Sequence, residues 1–105
     1  MIFNTGAALL DAIVLSVVSK EINGTYGYKI TQEVRMALDV SESTLYPVLR
    51  RLLKDNCLET YDQAYQGRNR RYYKITAQGQ AQLQMYRQEW IAYVKKINQI
   101  IEEGK

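Results

Sequence analysis

Three hydroxyl side chains, Ser41, Ser43 and Thr44, stand just ahead of Pro47, the only proline of this 105-residue chain, and Arg50 and Arg51 follow it. Hydroxyls at the tip of a helix can donate or accept toward base edges or phosphates. An arginine one to two turns further on can reach a phosphate or a guanine edge, though Arg50 and Arg51 cannot both face a groove equally. Tyr46 can cover a sugar–phosphate with its ring, and Lys54 belongs to the same basic set. A second cluster lies in "QGRNR", where Gly67, Arg68, Asn69, Arg70 and Arg71 make an unusually basic turn between two strand-like runs. Such a tip reaches a minor groove or its flanking phosphates. Each feature has a plainer use: helix capping for Ser43 and Thr44, and a soluble hairpin tip for the arginines.

Other chemistries find little support. The chain has no histidine and one cysteine, so an intrachain disulfide, a Cys/His zinc site and His-dependent acid–base catalysis are all excluded. No nucleophile is paired with a base and no Gly-rich phosphate loop is present, so an enzyme is not expected, and no cofactor is implied. Cys57 reads as a small buried hydrophobe. Net charge is +3, but it is unevenly placed. Residues 46–74 hold seven basic and three acidic side chains, a local +4, while the remainder is close to balanced with seven and eight. A local excess of this kind is the footprint of a nucleic-acid face.

The elements that must position these residues follow from periodicity. Thr5 is placed to cap a first helix running to about Lys20. The helix is apolar nearly all round. Leu9, Leu10, Ile13, Val14, Val17 and Val18 form one stripe; Ala8, Ala12 and Leu15 form another, which would meet a second subunit with Asp11 near the seam. The apolar run Ala7 to Val18 is too short to span a bilayer, contains Asp11, and has no basic residue before it. Neither a membrane nor a targeting role is expected, and the compartment is expected to be the cytoplasm.

"NGTYG" breaks the chain, and a second helix is expected from Tyr26 to Leu38. After "DVSES" comes the Pro47 helix, ending near Asn56. Proline lacks an N–H and crowds the carbonyl four residues back, so it is tolerated best in a first turn. The regular part of that helix should therefore begin near Ser43 or Thr44. "CLETYDQAY" and "RRYYKIT" then read as a hairpin. Thr76 opens a last helix to about Glu103, where Leu83, Tyr86, Trp90, Tyr93, Ile97 and Ile100 step by 3, 4, 3, 4, 3. A seam of that kind needs a partner, and a symmetric dimer is the commonest solution. The expected fold is mainly α (α+β): a winged helix-turn-helix over residues 1–75 and a long dimerisation helix over 76–105.

"TYGYKITQEV", "STLYPVLRRLLKDNCLE", "GRNRRYYKIT" and "AQGQ" together resemble the winged-helix signature of PadR-family transcriptional regulators, from about Leu9 to Gly79. The resemblance implies a homodimeric repressor that binds a palindromic element in double-stranded DNA, with its dimer built from the first and last helices. The single helix after the wing is similar to the short, multidrug-sensing subgroup, in which paired tryptophans sandwich a planar aromatic effector at the dimer centre. Trp90, eleven residues after Gly79, falls where that tryptophan would be. Ala8, Asp11 and Ala12 would then line the same pore, with Asp11 favouring cationic guests. The alternatives are that Trp90 simply fills the dimer core, or that the winged helix is a protein-interaction module with an incidental basic wing.

Overall fold

The computed structural model describes residues 6–103. Seven elements follow one another: α1 (Ala7–Ser19), β1 (Thr25–Tyr26), α2 (Gly27–Val34), α3 (Glu42–Lys54), β2 (Leu58–Tyr65), β3 (Arg68–Ile75) and α4 (Ala77–Glu103). The strands form one antiparallel sheet in the order β1-β3-β2. The core lies where α1, α2 and α3 meet the sheet and the first turns of α4. Val14, Leu15, Val18, Ile30, Val34, Leu45, Leu52 and Leu83 are fully buried there. Each such side chain contributes about 1.5–3 kcal/mol by leaving water.

Leu15 is thus a core residue of its own chain, not part of a face turned to another subunit. Ala8 and Ala12 on α1 are half-buried. Thr5, the expected cap of α1, lies outside the described residues.

α2 stops at Val34, four residues before the expected Leu38. Its last turn tightens, with Met36 N–H donating to Glu33 O at 3.2 Å and Ala37 N–H to Val34 O at 3.0 Å, before the chain turns toward α3. The helix also starts late, because Thr25 and Tyr26 are drawn into the sheet opposite Tyr73 and Tyr72.

α3 begins earlier than expected. Ser41 is its N-cap, its Oγ accepting from Thr44 N–H at 3.2 Å, so Glu42 is the first helical residue. Pro47 is therefore the sixth residue, in the second turn, and Ser43 C=O can receive no bond from it. The far end closes with Asn56 in the left-handed region, φ 60°, while Cys57 N–H reaches back to Leu52 O at 2.9 Å. Asparagine is one of the few residues that adopts this conformation readily.

The hairpin turns on two residues only, Gln66 and Gly67, both at positive φ (50° and 77°). Arg68 to Arg71 are consequently not in the turn; they open β3. α4 is anchored at its start. Thr76 N–H donates to Cys57 O at 3.1 Å, Thr76 Oγ1 accepts from Gly79 N–H at 2.9 Å, and Gln78 Nε2 donates to Asp55 O at 2.8 Å. Gly79 sits so close to the Cys57 carbonyl that a Cβ would strike it. The end of α3 and the start of α4 are thereby one joint. Beyond Leu83 no described residue of α4 is buried, and the 27-residue helix, about 40 Å long, gives the molecule its 60 Å long axis.

Candidate nucleic-acid interface

The amphipathic character of α3 decides which of its side chains are available. Leu45, Val48, Leu49 and Leu52 face the core, while Ser43, Thr44, Tyr46, Pro47, Arg50 and Lys54 are exposed on the other side. The hydroxyls form a local cluster: Ser41 Oγ lies 2.9 Å from Ser43 Oγ and 3.0 Å from Thr44 Oγ1. They cap α3 and also present their remaining lone pairs and protons to solvent. Capping therefore leaves these hydroxyls open toward solvent at the exposed tip of α3. Tyr46 O–H points back to Glu42 Oε1 at 3.5 Å, at the limit of a hydrogen bond.

Between the N-terminal ends of α2 and α3 and the outer half of β3 runs a cleft of about 860 Å³. Tyr26, Tyr28, Tyr46, Tyr65 and Tyr73 line it together with Arg68, Asn69, Arg70 and Arg71, and among the described residues Glu42 is the acidic one on its wall. Its chemistry is that of a sugar–phosphate channel: cations for charge, tyrosine rings for the apolar sugar face, phenol groups for phosphate oxygens. The cleft joins the outer face of α3 to the wing.

The two arginines of α3 part company. Arg50 is exposed; Arg51 turns inward and forms an ion pair with Asp11 of α1. Tyr86 of α4 donates its O–H to the other oxygen of that carboxylate at 3.1 Å. Asp11 is only 7% exposed. Burial, reinforced by the neighbouring carboxylate, pushes the Tyr86 phenol up to about 12. A single buried carboxylate thus ties α1, α3 and α4 together.

That finding revises the expected ligand-lining set. A groove of about 500 Å³ between α1, α2 and α4 brings Ala12 and Trp90 together with Ile13, Val34, Leu38 and Tyr86. Asp11 points elsewhere on α1, and its charge is taken up by Arg51. Ala8 lies one turn before Ala12, outside that groove. Cys57 is buried, and burial, with the Asp55 and Asp11 carboxylates, raises its thiol, which disfavours the reactive thiolate.

The wing departs from expectation in one further way. Arg68 and Asn69 are exposed beside the turn, but Arg70 is half-buried against aromatic rings. The aromatic cluster itself (Tyr26, Tyr61, Tyr65 and Tyr72) is not among the features expected from the sequence. Its signal was the spacing of Tyr61 and Tyr65, which share a face of β2, and the two-residue turn brings Tyr72 of β3 onto that same face.

A basic hairpin beside a solvent-facing helix, itself preceded at a short turn by α2, defines a winged helix-turn-helix regulator. Comparison with known proteins makes this specific. The sequence pattern of the Transcriptional regulator PadR-like family matches residues 14–85. The crystal structure of smu.1704 from Streptococcus mutans is similar with a TM-score of 0.84 and 39% identity, over 97% of this chain and 94% of that one. A PadR family transcription regulator from Clostridium difficile superimposes with a TM-score of 0.79 at 30% identity, over 88% of this chain and 97% of the other. A transcriptional regulator of Mycobacterium tuberculosis is 42% identical over 62 residues, 58% of either chain. The chain belongs to the PadR-like family of transcriptional regulators, which are DNA-binding proteins and not enzymes. Among the described residues no helix is long and apolar enough to cross a membrane.

Proposed function

We propose that this protein is a homodimeric repressor that reads a palindromic operator in double-stranded DNA. Residues 1–75 form the reading head and residues 76–105 the dimerisation helix. The observation that carries this reading is the continuity of the exposed α3 face, through the tyrosine–arginine cleft, with the basic wing. α3 enters the major groove tip first, presenting Ser41, Ser43, Thr44 and Arg50 to base edges and phosphates. Tyr46 and Lys54 contact the flanking backbone, and Arg68 and Asn69 follow from the wing into the adjacent minor groove.

The groove beside Trp90 and Ala12 supports a planar aromatic effector, held by stacking on the indole and relieving repression by favouring another dimer geometry. Ala8, one turn earlier on α1, lies outside that space. Asp11 enters this scheme through the Arg51 and Tyr86 contacts rather than as a counter-ion for the guest.

The test is selection from random duplexes followed by a mobility shift across a salt series. Enrichment of sequences with two inverted half-sites about one helical turn apart is expected. Arg50→Ala should weaken binding and lower the salt slope by about 0.9 for one lost phosphate contact. Absence of salt-dependent duplex binding by the wild type would overturn the reading. Titration of planar cationic dyes against the emission of Trp90, the only tryptophan, tests the effector. Quenching by none of a diverse set leaves Trp90 as packing.

A further inference from the structure

Arg70 is unlike the other basic residues of the wing. Arg68 and Arg71 are exposed, whereas Arg70 lies with its guanidinium carbon 4.0 Å from the centre of the Tyr26 ring and 3.6 Å from that of Tyr65. Tyr72 closes a third side at 5.9 Å. The two nearest rings belong to different parts of the molecule. Tyr26 ends β1 and is the residue from which α2 starts; Tyr65 is the last residue of β2, beside the wing turn.

The sheet explains why a link at this place matters. β1 pairs with β3 only through Tyr72 and Tyr73. Beyond them the wing is a two-stranded ribbon, Asp62–Tyr65 against Arg68–Arg71. Ribbons of two strands twist freely and are marginal on their own. The register puts Tyr61, Tyr65, Arg70 and Tyr72 on one face, opposite the face on which Tyr73 enters the core. On that outer face Tyr61 stacks on Tyr72 at 5.3 Å, and Tyr26 meets Tyr72 edge-on at 5.8 Å. Arg70 continues the stack outward from the body of the fold to the tip. A flat cation is suited to this, since it is attracted to both ring faces at once.

We propose that Arg70 is a positioning residue: clasped between Tyr26 and Tyr65, it sets the angle of the wing against the start of α2, and hence the distance between the wing turn and α3. This deepens the DNA-binding reading and rests on it for its consequence. It assigns the phosphate contacts of the wing to Arg68 and Asn69, and the geometry of those contacts to Arg70.

Two measurements test it. The first needs no DNA. In Arg70→Lys, which keeps the charge but not the plane, amide exchange of residues 63–69 should quicken about fivefold, by loss of a surface cation–π clasp, while the core amides keep their wild-type rates. Tyr65→Leu should do the same, and the double variant should be no faster than either single one. Unchanged exchange in both single variants overturns the proposal.

The second measurement uses the selected duplex. Arg70→Lys should bind about five- to tenfold more weakly with the wild-type salt slope, whereas Arg68→Ala should lower the slope by about 0.9. If Arg70→Lys binds like the wild type and Arg70→Ala lowers the slope by that amount, Arg70 is a phosphate ligand and the proposal is wrong. A wild-type protein that binds no duplex would sink the DNA-binding reading, and the exchange rates alone would then decide whether the clasp exists.

Discussion

Arg50 and Arg51 are adjacent in the chain and about 100° apart around α3, and that rotation gives them different work. Arg51→Ala removes the ion-pair partner of a carboxylate that is almost out of water, leaving Asp11 with Tyr86 alone. Destabilisation of about 1–3 kcal/mol is expected, below the range for a fully buried pair because the Arg51 side chain is itself 41% exposed. Arg50→Ala should leave stability within about 0.5 kcal/mol and act on DNA binding instead. Urea denaturation of the two variants separates them; equal loss of stability in both would refute the division. The Tyr86 phenol offers a second check. Its folded value, about 12, exceeds the ordinary 10, so the folded state holds that proton more tightly than the unfolded chain. The associated stability is whole below pH 10 and is lost as pH rises through 12. Tyr86→Phe cannot ionise, so the stability gap between wild type and variant should shift steadily in favour of the variant from pH 10 to 12. A gap independent of pH would show that burial and the Asp11 carboxylate do not raise the phenol after all. Two neighbouring arginines in a sequence announce a basic helix; which of them turns inward depended on Asp11, forty residues away, and could not be read from spacing alone.

At the scale of elements, two residues carry opposite expectations. Pro47 stands in the second turn of α3, where it forfeits one backbone hydrogen bond and presses on the Ser43 carbonyl. Pro47→Ala should stabilise the protein by about 1 kcal/mol, seen as a higher melting temperature, the gain in α3 being offset in part by a more flexible unfolded chain. A lower melting temperature would mean that the proline ring packs usefully. Gly79 is the converse case. A Cβ there would run into the Cys57 carbonyl at the joint of α3 and α4, so Gly79→Ala must move backbone and should cost more than about 2 kcal/mol despite the better helix propensity of alanine. The four helices, the hairpin and the amphipathic split of α3 were legible because burial on one side imposes a period that the sequence displays. Three things were not. The start of α3 moved because Ser41, rather than a later hydroxyl, took the cap. β1 is two residues long and exists only because β3 offers it an edge. The wing turn falls on Gln66–Gly67, and glutamine is not among the residues that mark such turns. An Asn-Gly at that point would have fixed the register, and with it the placing of Arg70 inside β3.

The whole molecule is a small body with one long arm. Ile100 and Ile101 near the end of α4 are 68% and 73% exposed, and Ile91 is 67% exposed. Most of a helix's stability in a protein comes from tertiary packing of its apolar face, and beyond Leu83 α4 has little of that from its own chain. The proposed dimer supplies the missing support. It also separates two heads so that each α3 meets its own half-site, which converts the second contact into an intramolecular event and multiplies affinity by about 10²–10⁴. Ile97→Glu places a charge in that seam without touching the core, where Leu83 is the last buried residue of α4 among those described. The variant should sediment as a monomer at micromolar concentration and lose helical signal at 222 nm. It should also bind the operator at least a hundredfold more weakly, with the cooperative melting of residues 6–83 retained. Because the wing and α3 remain folded, its residual binding should match that of the wild type on a single half-site. Were the variant to stay dimeric, the two copies would have to meet through another surface. Were it monomeric yet fully able to bind the palindrome, the arm would have no part in reading DNA, and the division of the chain into head and clasp would fail with it.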